Sequence, residues 1–193
     1  MQKHQLPIKR RHFLQGTASA GGLSLISSSV RRAQARKNAS ENTYRVGVIG
    51  STGRGGYGHR LDEAFLEIPQ TRIVAVADDN PVGLSNAQKR LSAKRSFADY
   101  HRMLDEVNLD LVVICPRWVD QHRDMAVAAA QRGIHILIEK PFCRTLAEAD
   151  EIVTACENSG AKLAIGHITH YSPTLNRVQQ LINEGKIGRV LEF

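Results

Sequence analysis

Short apolar runs rich in valine and isoleucine recur along the chain, and stretches with a helical spacing of apolar residues separate them. Such runs are typical of strands that are buried on both faces of a sheet. Strands that alternate with helices form a parallel sheet whose two faces are covered by those helices. We therefore predict an α/β fold with a doubly wound parallel sheet, with strands at residues 44–50, 72–77, 96–97, 110–115, 134–138 and 162–166.

Helices are predicted between these strands from apolar spacing and from residues that favour helix ends. Pro81 suits the first turn of a helix because its missing N–H needs no partner there. Asp99 is a typical N-cap residue, and Thr145 with Glu148 forms a capping box. Gly133 is typical of the position after a helix. The predicted helices cover residues 56–67, 81–94, 99–104, 118–132, 145–158 and 173–184, and residues 189–193 begin a further element.

The net charge of +7 is concentrated at the amino terminus and does not indicate a nucleic-acid partner. Residues 1–35 contain six of the 26 lysine and arginine residues and none of the 19 acidic residues. The other 158 residues carry 20 basic and 19 acidic side chains, a balance that does not attract a polyanion. Three cysteines without close spacing predict neither a metal site nor a disulfide framework.

The first 35 residues have the pattern of an export signal. Arg10 and Arg11 precede a stretch without lysine, arginine or acidic side chains over residues 12–30, and the small-residue sequence Ala-Gln-Ala follows at residues 33–35. The stretch is too polar for a membrane-spanning helix, because glycine, serine and alanine separate its large apolar residues. A disordered basic tail is the alternative. The pattern predicts a twin-arginine signal peptide over residues 1–35, a linker over residues 36–43, and a periplasmic or otherwise exported protein.

A glycine-rich turn follows the first predicted strand, where a dinucleotide-binding fold needs one. Glycine lets the chain turn sharply and lets a pyrophosphate approach backbone N–H groups at the start of a helix. The turn departs from the G-x-G-x-x-G pattern, since Thr52 stands at the second glycine position and Gly53 follows it. For the turn alone, a purely structural loop is an equal alternative. The candidate cofactor-binding residues of the turn are Gly50, Thr52, Gly53, Arg54 and Gly55.

Asp78 ends the second predicted strand and lies 23 residues beyond Gly55. A carboxylate near this distance binds the ribose hydroxyls of a dinucleotide in Rossmann folds. Considered alone, Asp78 is more typical of a helix cap or a solvated turn. A carboxylate repels the 2′-phosphate of NADP, and Asp79 and Asn80 provide no cation that could hold that phosphate. The turn and the carboxylate together predict NAD as the cofactor, with NADP less favoured.

Glu139, Lys140 and Pro141 come directly after the strand predicted at residues 134–138. Residues at the carboxyl ends of parallel strands face the ligand crevice. A lysine held there can donate a hydrogen bond to a substrate hydroxyl or carbonyl. When these residues are considered in isolation, a surface Lys–Glu pair before a turn is the better interpretation.

The order of these motifs resembles the N-terminal domain of the Gfo/Idh/MocA oxidoreductases, the glucose–fructose oxidoreductase and inositol dehydrogenase family. The resemblance covers residues 44–193, and its most specific part is the stretch from Gly133 to Pro141. The matching segments are residues 46–50 with the glycine turn, 75–78, 97–100, 110–114, Pro116 with His122, 133–141 and 185–188.

The resemblance implies a Rossmann domain over residues 44–170 that binds a nicotinamide dinucleotide. It implies two catalytic residues, Lys140 beside the substrate and His122 near the nicotinamide, and no metal ion. It adds Pro116 and Glu139 to the candidate cofactor-binding residues. The implied reaction transfers a hydride between the nicotinamide and a sugar or cyclitol carbon that carries a hydroxyl or carbonyl oxygen.

In this family a second domain supplies most of the sugar pocket, and we expect that domain to be missing from this chain. Residues 171–193 are then a helix and the start of a truncated substrate domain, in a fragment, a shortened gene model or a decayed gene. Two functions stay open: an NAD-dependent oxidoreductase for a carbohydrate-like molecule, and a dinucleotide-binding module without turnover. A homo-oligomer of the complete protein is a further possibility. A short-chain dehydrogenase is disfavoured, because none of the four tyrosines has a lysine four residues later.

Overall fold

The computed structural model describes residues 43–189 and contains a six-stranded parallel sheet. Its strands are β1 (Tyr44–Ile49), β2 (Thr71–Ala77), β3 (Arg95–Phe97), β4 (Leu111–Ile114), β5 (His135–Ile138) and β6 (Leu163–Ile165). Their order in the sheet is β3–β2–β1–β4–β5–β6, and every neighbouring pair is parallel. The predicted doubly wound sheet is confirmed. The strand order reverses between β1 and β4, and sheets of this kind bind ligands at the carboxyl edge beside that reversal.

Helices connect the strands and begin where the sequence predicts caps. The Asn80 side chain caps the helix that starts at Pro81. Asp99 accepts a hydrogen bond from His101 N at 2.8 Å, and Thr145 Oγ1 accepts one from Glu148 N at 3.2 Å. Each bond satisfies a backbone donor that the helix itself leaves without a partner. The helices are α1 (Pro81–Arg90), α2 (Tyr100–Glu106), α3 (His122–Ala130), α4 (Leu146–Ser159) and α5 (Pro173–Asn183).

Two apolar cores lie on the opposite faces of the sheet. Met103 of α2 and Ile152 of α4 belong to the core on one face, which α3 completes. Leu91, at the end of α1, and Leu61, in the segment after β1, belong to the core on the other face. Because both faces are covered, the central strands are apolar from Val46 onwards in β1 and from Ile73 onwards in β2.

The helix predicted over residues 56–67 is wrong. The structure has turns in this segment and a single turn of 3-10 helix, Leu61–Glu63. Arg60 has φ of 64°, and the glycines before it also have positive φ. A left-handed residue interrupts an α-helix, so the backbone conformation overrides the helical spacing of the apolar side chains. The glycines with positive φ are Gly53, Gly55, Gly56 and Gly58.

The other predicted boundaries differ from the observed ones by a few residues. Ser92, with φ of 51°, follows α1, which therefore ends before the predicted residue 94. The helix predicted from residue 118 begins as a 3-10 turn, and its regular part starts at His122. Within residues 43–189 no helix is long and apolar enough to cross a membrane. The signal peptide, and residues 190–193 of the element predicted at residues 189–193, lie outside the described residues.

Arg45 and Asp110 join the beginning of β1 to the residue that precedes β4. Arg45 Nε and Nη2 donate to the two carboxylate oxygens of Asp110 at 3.0 and 2.9 Å, and Arg45 N donates to Oδ2 at 2.7 Å. The Arg45 side chain is the main reason that the pKa of the Asp110 carboxyl lies below its ordinary value. This pair therefore adds a contact between the two central strands that depends on the ionised carboxylate, while the backbone pairing sets their register.

We predict that Asp110→Asn lowers the melting temperature by a few degrees at pH 7 and that this difference disappears in acid. The ionised carboxylate is bound in the folded state alone. Its contribution is complete above the unfolded pKa of about 3.9 and is lost as the pH falls through the lower, folded pKa. Thermal unfolding at a series of pH values measures the difference. Arg45→Gln should show the same pH dependence, and a difference that persists unchanged in strong acid would contradict the prediction.

Candidate functional site

A crevice of about 220 Å³ opens at the carboxyl ends of β1, β2 and β3. Three carboxylates are present among its lining residues, and no lysine or arginine is. Complete small-molecule sites have volumes of about 300–1,000 Å³, so this crevice suits one part of a dinucleotide. The lining residues are Ile49, Gly50, Ser51, Ala77, Asp78, Asp79, Ala98, Asp99, Tyr100, Gln121 and Met125.

Asp78 directly follows β2 on the wall of this crevice and is only 2% exposed. Thr52 N lies 3.1 and 3.2 Å from its two carboxylate oxygens, and Thr52 Oγ1 donates to Oδ2 at 2.7 Å. Asn80 N donates to Oδ1 at 3.0 Å. Charge-assisted bonds of this kind compensate a buried carboxylate for the loss of water. They fix the orientation of Asp78 on the crevice wall.

The glycine-rich segment, defined here as residues 50–58, folds back on itself. Ser51 N donates to Gly56 O at 3.1 Å, and Gly56 N donates to Ser51 O at 2.9 Å. Gly55 has φ of 94°, and a Cβ atom on it would lie 2.5 Å from Arg117 N. The predicted sharp turn is therefore present. The predicted pyrophosphate site at a helix N-terminus is wrong, because the segment is followed by turns.

Arg54 joins the glycine-rich segment to the loop after β4. Its guanidinium forms an ion pair with Asp120 and lies 5.1 Å from the centre of the Trp118 ring. In the same contact, Arg117 Nε donates to Gly55 O at 3.3 Å. Arg54 Nε and Asp120 Oδ1 are buried and have no hydrogen-bond partner among the described residues. Arg54 therefore holds two loops of the carboxyl edge together.

Glu139 and Lys140 follow β5 and have opposite environments. Glu139 is 2% exposed, whereas Lys140 is exposed. Glu139 Oε1 lies 3.2 Å from His59 Nδ1, and a Cβ atom on Gly58 would lie 2.8 Å from Oε2. Glu139 thus supports the glycine-rich segment and is not among the lining residues of the crevice. Within residues 43–189 the Lys140 amine has no hydrogen-bond or ion-pair partner, so the alternative of a surface Lys–Glu pair is wrong.

His122 is completely buried at the beginning of α3. Its Nε2 lies 2.7 Å from Pro116 O, and its Nδ1 lies 2.9 Å from Pro141 O and 3.2 Å from Phe142 O. The ring therefore ties the loop after β4 to the loop after β5. Both ring nitrogens face backbone carbonyls, which does not fit the expected catalytic role. The structure makes His122 a positioning residue for the loop that carries Lys140, and Pro116 takes part through its carbonyl.

A charged cluster lies beside the glycine-rich segment on the α1 face of the sheet. Arg90 Nη2 donates to Asp62 Oδ2 at 2.5 Å, and Asp62 is 1% exposed. The Arg90 guanidinium also lies 4.9 Å from the centre of the Tyr57 ring. Burial, and then the charge of Asp78, raise the pKa of the Tyr57 phenol above its ordinary value. The cluster anchors a segment that has no regular helix of its own.

The structure brings Gly50 and Asp78 together on the crevice wall, with Thr52 bonded to Asp78. Gly53 has φ of 90° and open space around the position of a Cβ atom. His59 was not predicted as a site residue, because no sequence motif includes it. Other lining residues were not predicted from the sequence, and their places near strand ends or helix starts are the only indication that the sequence gives of them. Besides Ile49, Ala77 and Ala98, they are Ser51, Asp79, Asp99, Tyr100, Gln121 and Met125.

Comparison with known proteins places the fold in a family. A family model described as an oxidoreductase family with an NAD-binding Rossmann fold matches residues 44–167. D-apiose dehydrogenase from Paraburkholderia graminis is 32% identical over 125 residues, which are 65% of this chain and 33% of that protein. Myo-inositol 2-dehydrogenase from Thermotoga maritima is 25% identical over 145 residues, which are 75% of this chain and 42% of that protein.

A solved structure agrees with this assignment. A 3-ketoreductase from Actinomadura kijaniata, in complex with TDP-benzene and NADP, superposes with a TM-score of 0.67 at 24% identity. The superposition covers 77% of this chain and 45% of that one. The chain therefore spans less than half of the length of the proteins it matches. The family match covers all six strands and the crevice at their carboxyl edge, so the chain belongs to the Gfo/Idh/MocA oxidoreductase family, whose members share an NAD-binding Rossmann fold.

Proposed function

We propose that this chain binds NAD and that the protein it belongs to transfers a hydride between NAD and a carbohydrate-like substrate. The observation that carries the proposal is the crevice at the carboxyl ends of β1, β2 and β3. Its wall holds a fixed carboxylate, Asp78, at the place where Rossmann folds bind the ribose of a dinucleotide.

The residues present fit the adenosine side of NAD. Asp78 can accept hydrogen bonds from ribose hydroxyls, and Asp79 and Asp99 add negative charge to the same crevice. A 2′-phosphate would meet three carboxylates without a cation among the lining residues, so the electrostatic field opposes NADP. We therefore assign NAD, with NADP less favoured, although the similar 3-ketoreductase is described in complex with NADP.

The glycine-rich segment would hold the pyrophosphate without help from a helix N-terminus. Gly50 lines the crevice, and Gly53 has open space where a Cβ atom would stand, whereas Arg117 packs against Gly55. Arg54 Nε is the unpartnered donor closest in sequence to these glycines. Three further candidate residues support the cofactor site through a neighbouring side chain. Thr52 binds Asp78 and Pro116 binds His122. Glu139 binds His59.

Lys140 is the residue that we propose to act on the substrate. When NAD is bound, it supplies the hydride acceptor or donor. The Lys140 amine would accept the hydroxyl proton during oxidation and return it during reduction. Lys140 follows β5 and so lies on the same carboxyl edge as Asp78, and its amine has no partner within residues 43–189. His122 supports this placement by binding the carbonyl of Pro141.

The substrate class is proposed from the relatives. Two proteins similar to this chain are named for D-apiose and for myo-inositol, a sugar and a cyclitol with secondary hydroxyl groups. We propose that residues 44–170 form the cofactor domain and that residues 171–193 begin a substrate domain. A sugar or cyclitol hydroxyl would then reach Lys140 from the side of that domain.

A dinucleotide-binding module without turnover is the second candidate function. It is favoured by the burial of His122, which leaves Lys140 as the only expected catalytic residue with an exposed side chain among the described residues. The two candidates share the cofactor site and differ in whether bound NAD is reduced when sugars or cyclitols are supplied.

We also propose that the protein is exported through a twin-arginine signal over residues 1–35. The support is the sequence alone: paired arginines, a long weakly apolar stretch without charges, and a small-residue cleavage pattern. A cofactor-binding protein has a physical reason to use this route, because the route carries proteins that have already folded and can hold their cofactor.

Replacing Asp78 with asparagine should weaken NAD at least tenfold, on the order of one charge-assisted hydrogen bond, and should leave NADP unchanged or improve it. The substitution removes an acceptor for the ribose and also removes the repulsion of a 2′-phosphate. Titration calorimetry with both cofactors measures the change. Asp150→Asn, the same substitution on the exposed side of α4, is the matched control. An equal loss of affinity for NAD and NADP would show that Asp78 does not distinguish the two cofactors at the ribose.

Lys140→Ala should reduce turnover by on the order of 10²-fold or more, the usual effect of removing a positioned proton-transfer group. The affinity for NAD should change by less than about twofold, because Lys140 does not line the crevice that binds the adenosine side. Steady-state kinetics on a chain that also carries the substrate domain provide the test. Lys89→Ala, at an exposed position on α1, is the control. Undiminished turnover in Lys140→Ala would exclude the proposed role.

Changing Arg10 and Arg11 together to lysine should stop export and leave the protein in the cytoplasm of a bacterial host that has the twin-arginine pathway. The same double change at Arg31 and Arg32 conserves the charge equally but lies beyond the apolar stretch, so export should continue. Cell fractionation and immunoblotting measure both variants. Export of both variants alike, or of neither, would contradict the signal assignment.

A further inference from the structure

We propose that Thr52 determines cofactor specificity as a positioning residue, by holding the Asp78 carboxylate in the orientation that binds the ribose. The inference rests on the proposed function, because it concerns the same cofactor crevice. It assigns a role to a side chain that does not line the crevice and that replaces a glycine of the usual dinucleotide fingerprint.

The hydrogen bonds around Asp78 leave little of its carboxylate unused. A carboxylate has about four lone-pair positions. Oδ1 accepts from Asn80 N and from Thr52 N, while Oδ2 accepts from Thr52 Oγ1 and shares the Thr52 N–H. Three donors therefore serve all four positions, and the longest contact is the shared Thr52 N–H, 3.2 Å from Oδ2. The shortest of these bonds, at 2.7 Å, comes from the Thr52 hydroxyl.

Of the three groups that donate to Asp78, only the Thr52 hydroxyl belongs to a side chain and can be removed by substitution. The N–H groups of Thr52 and Asn80 belong to the backbone and define where the carboxylate sits. The hydroxyl of Thr52 decides how the carboxylate is rotated, because it binds one oxygen from the side of the glycine-rich segment. A carboxylate with a fixed direction suits a sugar hydroxyl, which can donate to it, whereas a phosphate offers no donor at neutral pH and gains nothing from it.

Gly83 provides independent support from another part of the chain. It lies in the first turn of α1, and a Cβ atom on it would lie 1.9 Å from Thr52 Oγ1 and 2.9 Å from Asp78 Oδ2. Its φ is not in the left-handed region, so the backbone does not require glycine there. Glycine is unfavourable inside a helix compared with alanine. The space that it leaves is the space that the Thr52 hydroxyl fills.

The direction of the Thr52 side chain also explains why a threonine can stand in this turn. Any side chain at the second glycine position of the fingerprint would normally obstruct the pyrophosphate. Here the side chain is turned towards α1 and Asp78, and the next residue, Gly53, has open space around the position of a Cβ atom. The segment keeps a bare backbone while it gains a donor for the carboxylate.

The test compares NAD and NADP affinities of Thr52→Val and Thr52→Ser by titration calorimetry. Valine keeps the shape and the backbone N–H but removes the hydroxyl, whereas serine keeps the hydroxyl. We expect Thr52→Val to weaken NAD about tenfold and NADP less than about twofold, and Thr52→Ser to retain the preference of the parent protein. Thr71→Val is the matched control, since it removes a buried threonine bond to Phe65 O outside the crevice.

Gly83→Ala tests the same contact from the other side and serves if Thr52→Val does not fold. Alanine displaces the Thr52 hydroxyl and presses on the Asp78 carboxylate, so we expect the same loss of NAD preference together with a lower melting temperature. An unchanged NAD to NADP ratio in these variants, or equal weakening of both cofactors, would overturn the inference. If Asp78→Asn still loses the preference in that case, the proposed function stands and only the role of Thr52 fails. A parent protein that binds neither cofactor would overturn both.

Discussion

A carboxylate buried to 2% exposure requires hydrogen-bond donors, and Asp78 obtains most of its donors from the segment that follows β1. Thr52 can turn its N–H group and its hydroxyl towards Asp78 because the chain there is a glycine-rich turn, in which a helix does not occupy the N–H groups. The first turn of α1 must then leave room, and Gly83 does so. The shape of the crevice follows from this arrangement, since the same carboxylate forms part of its wall.

The loops at the carboxyl edge of the sheet are held by side-chain contacts between them. Arg54 links the glycine-rich segment to the loop after β4, and Glu139 links it to the end of β5 through His59. His122 completes the set by joining the loops after β4 and β5. Lys140 takes part in none of these contacts, although Glu139 directly before it does.

Much of the fold could be predicted because its signals are local. Apolar runs marked the buried strands, and Asp99 and Thr145 marked helix starts through bonds to residues two or three positions away. The prediction of a helix over residues 56–67 was wrong because helical spacing describes side chains, whereas the positive φ of Arg60 is a property of the backbone.

The candidate site was predictable only in part. Asp78 was predicted from its place after a strand, and it lies on the crevice wall. The role of Lys140 was expected from the family resemblance, and the structure places this residue directly after β5. The burial of His122 depends on carbonyl groups of two separate loops, and the bond between Thr52 and Asp78 joins residues 26 positions apart. Such contacts form only when the sheet is assembled, so no local sequence pattern predicts them.

The glycine-rich segment depends on partners that lie far along the chain, and this has a consequence for the order of folding. Thr52, Arg54 and His59 bond to residues 26, 66 and 80 positions later. A ribosome releases this segment well before it makes Glu139, so the segment has to wait without its native contacts while β2, β4 and β5 are synthesised. The ribosome makes β1 first, yet the glycine-rich segment directly after it can complete its native contacts only after β5 and Glu139 have been made.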